Sequence, residues 1–222
     1  KLAKAIIDSG SDGLVIGGTT GEAPTISDEE KLKLFSVVKE SIGPDHALIA
    51  GTTNNNTKES VKLSKLAEST EVDGLLLTVP SYNKPTQDGL YKHFKSISEE
   101  VSIPCILYNV PSRTSLNMTD ETTIKLSKLK NIVGIKEASS DLDQITKIIS
   151  NTSNDFKVWS GNDNETLYIL SAGGYGIVSV AGHIVSSQIK QLIGHVLEGN
   201  IEVAGKEHQR LLEFFNIIFV VT

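Results

Sequence analysis

Apolar stretches of strand length recur along the chain at 13–18, 47–51, 74–79, 104–110, 132–136, 157–161 and 176–180. Each is followed by a polar turn and then by residues with helical spacing, so the pattern predicts seven βα units in a row. Helix starts are marked as well. Ser27-Asp28-Glu29-Glu30 has the form of a capping box, Thr57 and Thr119 stand just before acidic residues, and Thr86-Gln87-Asp88 follows Pro85. An amphipathic helix is expected over 1–9, and a helical tail from Ser187 that runs on through Val221-Thr222. Near-continuous apolar strands alternating with amphipathic helices imply a parallel sheet with right-handed crossovers, which leaves a closed barrel or an open doubly wound sheet.

The polar residues at the strand ends favour the barrel. An open sheet gathers its chemistry at one switch point, whereas a barrel gathers it around one rim from the carboxyl ends of many strands. Here Gly17-Gly18-Thr19-Thr20-Gly21-Glu22 follows the first apolar stretch, Ser81-Tyr82-Asn83 the third, Tyr108-Asn109 ends the fourth, Lys136-Glu137 the fifth, and Gly161-Asn162-Asp163 the sixth. The expected fold is therefore an α/β (β/α)8 TIM barrel. Because the chain opens inside a helix, the barrel is expected to lack its first strand. Residues 1–222 read as one domain, incomplete at both ends, with 187–222 forming the last barrel helix and the start of a C-terminal helical extension.

Composition narrows the function more than the fold. At 222 residues and 39% hydrophobic, the chain can bury one large core. Its 21 basic and 27 acidic residues give a net charge of −6 without a basic stripe, so nucleic acid is not an expected partner. The apolar runs are too short to span a bilayer and no basic-then-apolar leader opens the chain, so it reads as a soluble cytoplasmic protein with no membrane partner. Cys105, the single cysteine, lies in an apolar stretch and reads as a buried structural thiol.

Lys136 is the residue with the most specific chemistry. A strand-end lysine is ordinarily an ion-pair partner, here of Glu137, but a partly desolvated one has a lowered pKa and can attack a ketone to form a Schiff base, an electron sink for carbon–carbon bond making. Tyr108 ends the preceding strand, within reach of Lys136 for proton transfer, or else packs there with its hydroxyl satisfied. The Gly17–Glu22 loop offers backbone amides and two hydroxyls to a small carboxylate, although it lacks the Gly-Lys-Ser/Thr of a phosphate loop. Arg113 is able to clamp a second carboxylate or simply to face solvent. His46, His93, His183, His195 and His208 show no metal-ligand spacing, with His46 expected in a loop and His93 on a helix face. Asp141 and Asp143 suit a helix cap better than a metal, and no metal is expected.

Taken together, Gly17–Glu22, Tyr82-Asn83-Lys84-Pro85 before Gly89-Leu90-Tyr91, Tyr108–Thr114, Gly134-Ile135-Lys136-Glu137-Ala138, Ser160–Asp163 and Gly174–Val180 resemble the dihydrodipicolinate synthase and N-acetylneuraminate lyase superfamily, and within it the dihydrodipicolinate synthases. The resemblance covers essentially the whole chain. It implies that Lys136 forms an imine with pyruvate, with no other cofactor, and that Tyr108 gives and takes protons beside it. Thr19 would relay protons between Tyr108 and Tyr82, the latter entering a neighbouring subunit's site in a homotetramer or homodimer. Thr20 and nearby amides would hold the pyruvate carboxylate, the Val178 main chain would seat the keto acid, and Arg113 would receive the carboxylate of L-aspartate 4-semialdehyde. The implied product is 4-hydroxy-tetrahydrodipicolinate, the committed step toward diaminopimelate and lysine. Arg113 separates this from another pyruvate-dependent class I aldolase, such as a lyase of N-acetylneuraminate or 2-keto-3-deoxy sugar acids, and a barrel that only binds is the reading outside enzymes. Ser81, Asp28 and Lys31 depart from the family's lysine feedback site while Asn55 and Glu59 match it, which implies weak or absent inhibition by lysine.

Overall fold

The computed structural model describes residues 1–220. Among them seven parallel strands form one sheet in chain order: β1 (Gly13–Ile16), β2 (Ala47–Gly51), β3 (Gly74–Thr78), β4 (Cys105–Asn109), β5 (Ile132–Glu137), β6 (Lys157–Ser160) and β7 (Gly176–Ile177). The helices are α1 (Leu2–Asp8), α2 (Asp28–Ile42), α3 (Thr57–Glu68), α4 (Gln87–Ser98), α5 (Pro111–Thr114), α6 (Asp120–Leu126), α7 (Leu142–Asn151), α8 (Thr166–Ser171), α9 (Gly182–Leu197) and α10 (Ile201–Ile217).

Alternation along each strand sorts the apolar side chains into two layers. Leu48, Leu75, Leu77, Cys105, Leu107, Ile135 and Val158 pack outward under the helices with Phe35, Phe94 and Ile148. Leu76, Ile106 and Tyr108 point the other way and meet Val15, Ile49, Val133 and Trp159 in a separate inner cluster. A doubly wound sheet would carry helices on both faces. Here they lie on one, and the ring α1–α2–α3–α4–α6–α7–α8–α9 closes on itself through contact of α9 with α1. Lys190 on α9 bonds Asp12 at 2.7 Å, and the Ser11 and Ser186 hydroxyls lie 2.8 Å apart, so the seam is tied. This is the (β/α)8-barrel fold, with β1 and β7 each paired on one side only, to β2 and β6, in the described residues.

The capping box forms as expected: the Ser27 hydroxyl accepts from the Glu30 amide at 3.2 Å and the Glu30 carboxylate accepts from the Ser27 amide at 2.9 Å. Thr86, Thr119 and Asp141 likewise cap α4, α6 and α7. Three expectations are corrected. The cap of α3 is Asn56, not Thr57, because the Thr57 hydroxyl is engaged by His93 Nδ1 at 2.9 Å and Asn56, extended in its backbone, accepts from the Lys58 amide on its side-chain oxygen instead. β7 stops at Ile177 rather than Val180, because the amides of Val180 and Ala181 and the Ser179 hydroxyl turn to the buried Asp163 carboxylate. The last helices begin at Gly182, not Ser187, with a kink at the non-helical Val185 between the first turn and the rest; Gly199, at φ +79°, precedes α10. The expected continuation through Val221-Thr222 lies outside the described residues.

His93 is buried within α4 rather than displayed on it, and burial drops its imidazole to about 4, so it is a neutral core residue. Burial likewise pushes the Cys105 thiol up to about 12, which keeps it unreactive. No described helix is long and apolar enough to cross a membrane.

Candidate active site

Strands β4 and β5 build the centre. Past a bulge at Cys105/Ile106 their register sets Tyr108 opposite Lys136 and Asn109 opposite Glu137. Tyr108 belongs to the inner cluster and Lys136 lies against it, with Nζ 4.1 Å from the centre of the phenol ring. Asn109 and Glu137, one residue on, face the helices. Gly161 makes room for the lysine stem, since a Cβ there would stand 3.2 Å from Lys136 Cε and 2.7 Å from Ala138 Cβ.

Only 9% of Lys136 is exposed. Its burial draws the ammonium down from 10.5 to about 8, while the Asp163 carboxylate works to hold it up and the Arg113 guanidinium to push it lower. An amine so shifted is partly neutral near pH 8, as attack on a ketone requires. Burial raises the Tyr108 phenol above its usual 10, Arg113 and the Thr19 hydroxyl oppose that rise, and the Glu137 carboxylate adds to it. The alternative pairing of Lys136 with Glu137 does not form: side chains of successive strand residues point to opposite faces, and no carboxylate among the described residues makes an ion pair with Lys136.

Thr19 and Thr20 are exposed on the loop after β1, and Arg113 is exposed on α5, a one-turn helix that the pattern of apolar positions did not show. A cleft of about 520 Å³ opens between these segments, lined by Thr19, Asn55, Ser81, Val110 and Arg113 among others. Lys136, Tyr108 and Thr20 do not line it; Thr19 and Arg113 connect it to the phenol. Val178 is half-buried and its amide donates to the Ser160 carbonyl at 2.9 Å. Tyr82 is not brought to this centre. It is 90% exposed and holds φ at +72°, a backbone conformation costly for an aromatic residue. Of the expected feedback-site residues, Ser81 lies 3.4 Å from Asn55 and Lys31 lies 3.7 Å from Asp28.

Two site residues carried no signal strong enough to read beforehand. Asp163 stood in the Gly161-Asn162-Asp163 motif, but its burial beside Lys136 and its grip on 179–181 arise from the fold. Glu137 appeared only as an ion-pair partner. It is completely buried and accepts from Asn109 Nδ2 at 3.1 Å, Gln144 Nε2 at 3.3 Å and the Ser139 amide at 2.9 Å, and burial nevertheless raises its carboxyl to about 7. No cluster of three or more metal-ligating side chains occurs among the described residues.

The profile of the Dihydrodipicolinate synthetase family matches residues 1–222. The chain belongs to this family. It is 53% identical over 222 residues to the 4-hydroxy-tetrahydrodipicolinate synthase of Dehalococcoides mccartyi, covering 100% of this chain and 75% of that protein. Among family members of known structure, the lysine-bound enzyme of Cyanidioschyzon merolae superposes with a TM-score of 0.98 at 42% identity, over 100% of this chain and 76% of that one. The chloride-inhibited enzyme of Acinetobacter baumannii in complex with pyruvate superposes with a TM-score of 0.96 at 34% identity, again over 100% and 76%.

Proposed function

We propose that this chain condenses pyruvate with L-aspartate 4-semialdehyde through an imine on Lys136. The observation that carries the reading is a buried strand-end amine, lowered to about 8 and seated against a tyrosine ring. The neutral Nζ attacks the keto carbon of pyruvate, and the keto oxygen leaves as water. Loss of a methyl proton turns the imine into an enamine whose carbon attacks the aldehyde. The substrate's own amine then displaces Lys136, closing the ring of 4-hydroxy-tetrahydrodipicolinate and freeing the enzyme. The imine is the electron sink, so this chemistry calls for no separate cofactor.

Tyr108 serves as proton donor and acceptor, with Thr19 as its relay. Thr20 and neighbouring amides hold the pyruvate carboxylate, and the Val178 main chain seats the keto acid. Tyr82, exposed and strained in the single chain, completes the relay in a neighbour's site within a homodimer or homotetramer. The reading places the enzyme in the cytoplasm, at the committed step of lysine and diaminopimelate synthesis.

Pyruvate followed by borohydride should leave a reduced adduct on Lys136, mapped by peptide mass spectrometry; a folded sample without that adduct sinks the aldolase reading. Consumption of aspartate semialdehyde rather than sugar acids by the same preparation separates the synthase from other pyruvate aldolases. Arg113→Ala should lower kcat/KM for the semialdehyde by about 10- to 100-fold, the worth of a charge-assisted hydrogen bond, while slowing pyruvate trapping far less. Equal losses in both assays would show that Arg113 acts on Tyr108 and Lys136 rather than on the second substrate.

A further inference from the structure

The same strand pair that presents Tyr108 and Lys136 to the interior presents a second pair to the helices. Asn109 lies opposite Glu137 in the register, and its amide donates to both Glu137 oxygens, at 3.1 and 3.3 Å. Asn109 also holds the Met118 amide on its side-chain oxygen at 3.0 Å and donates to Asn117 Oδ1 at 2.7 Å. Gln144 of α7 closes the circuit, giving one amide hydrogen to Glu137 at 3.3 Å and accepting from Asn117 at 2.8 Å. Gln87, in the first turn of α4, donates to the Asn117 carbonyl at 2.8 Å. The segment after β3, which carries Tyr82, the segment after β4, which carries Arg113, and α7 after β5 are thus joined in one network around a buried carboxylate on the strand that carries Lys136.

The bulge gives this arrangement a task. At Cys105/Ile106 the β4–β5 register shifts by one: Cys105 pairs with Ile132 and Ile106 with Gly134, so Val133 is the extra residue. A slip of one residue in a strand sends every side chain to the opposite face, which would carry Lys136 out of the barrel. Asn109–Glu137 is the side-chain bond between the two strands on the Lys136 side of that bulge.

We infer that Glu137 is a positioning residue, a buried clamp on Asn109 and Gln144 that holds Lys136 and Tyr108 in reacting register. It touches no substrate. The inference rests on Lys136 being the imine-forming residue, and the measurement is chosen to separate the two.

The rate of pyruvate trapping by borohydride, per folded molecule, is compared in the parent, Glu137→Gln, Asn109→Asp and the double variant that exchanges carboxylate and amide across the pair. Glu137→Gln turns an N–H2 toward donors and should slow trapping about tenfold or more, as small displacements of a reacting group do. Asn109→Asp sets two buried carboxylates face to face and should do worse, whereas the double variant should recover to within about threefold of the parent. Parent-like trapping by folded Glu137→Gln, or a double variant no better than the singles, overturns the clamp. Absence of an adduct in the parent overturns the Schiff-base reading instead. Should Glu137→Gln fail to fold, Gln144→Met, which removes one donor at constant bulk, is measured in its place; slowed trapping supports the clamp and an unchanged rate overturns it.

Discussion

Lys136→Met will take up no pyruvate and will unfold at a temperature about 5–10 °C above the parent. The first half follows because a thioether is not a nucleophile toward a ketone. The second follows from what it costs to hold a buried ammonium. Depression of its pKa from 10.5 to about 8 corresponds to about 3 kcal/mol of stability lost in the protonated state. Below about pH 8 the amine is protonated in both folded and unfolded chains and that cost is fully present. Between about 8 and 10.5 the folded chain has released the proton while the unfolded chain still holds it, so the parent gains stability as pH rises. The methionine fills the same space without a charge and lacks that gain. Its advantage is therefore largest near pH 7 and shrinks toward pH 10. Scanning calorimetry of both proteins at the two values reads the difference directly, and the titration of Cys105 cancels because both proteins share it. A variant less stable than the parent at pH 7, or an advantage that does not change with pH, would show that Lys136 is held without strain and that the amine is not primed.

Gly134→Ala will destabilise the fold by about 3 kcal/mol or more, the upper range of overpacking, since the clash falls on backbone as well as side chain. A Cβ at this position would sit 2.2 Å from the Lys157 carbonyl oxygen and 2.5 Å from Trp159 Cζ3. Gly134 pairs with both β4 and β6 just past the bulge, two residues before Lys136, so relief requires parting β5 from β6 and moving the lysine with it. Activity should fall with stability. Gly205→Ala in α10 is the control: a Cβ there meets nothing within 4 Å, and the loss of helix-breaking freedom should stabilise by about 0.5–1 kcal/mol. Urea unfolding of the two variants should move in opposite directions, and a Gly134→Ala protein with the parent's midpoint would mean that β5 and β6 are not held in the close pairing of Gly134 with Lys157.

Local chemistry was legible where one residue decides it. Ser27 and Glu30 make a capping box because both partners lie within one turn, and the seven strands announce themselves because each is a short apolar run bounded by polar turn residues. Legibility failed where a distant group competes for the same donor. Thr57 looked like a cap but its hydroxyl goes to His93, 36 residues on. The stretch after Ile177 looked like strand, but its amides and hydroxyl go to Asp163.

The candidate site divides in the same way. By itself the sequence determined that an amine and a phenol end consecutive parallel strands, because apolar run lengths locate those ends and strands adjacent in the chain pair in a barrel. It also determined family membership, through motifs spread over the whole chain. Only the tertiary structure decided that Glu137 turns away from Lys136 into Asn109 and Gln144, that Asp163 lies buried near the amine, and that Tyr82 stands clear of the centre on a left-handed turn. The physical reason is that face and depth are set by register and burial. Both depend on the bulge between β4 and β5 and on packing among segments far apart in the chain, and neither is encoded in any short run of residues.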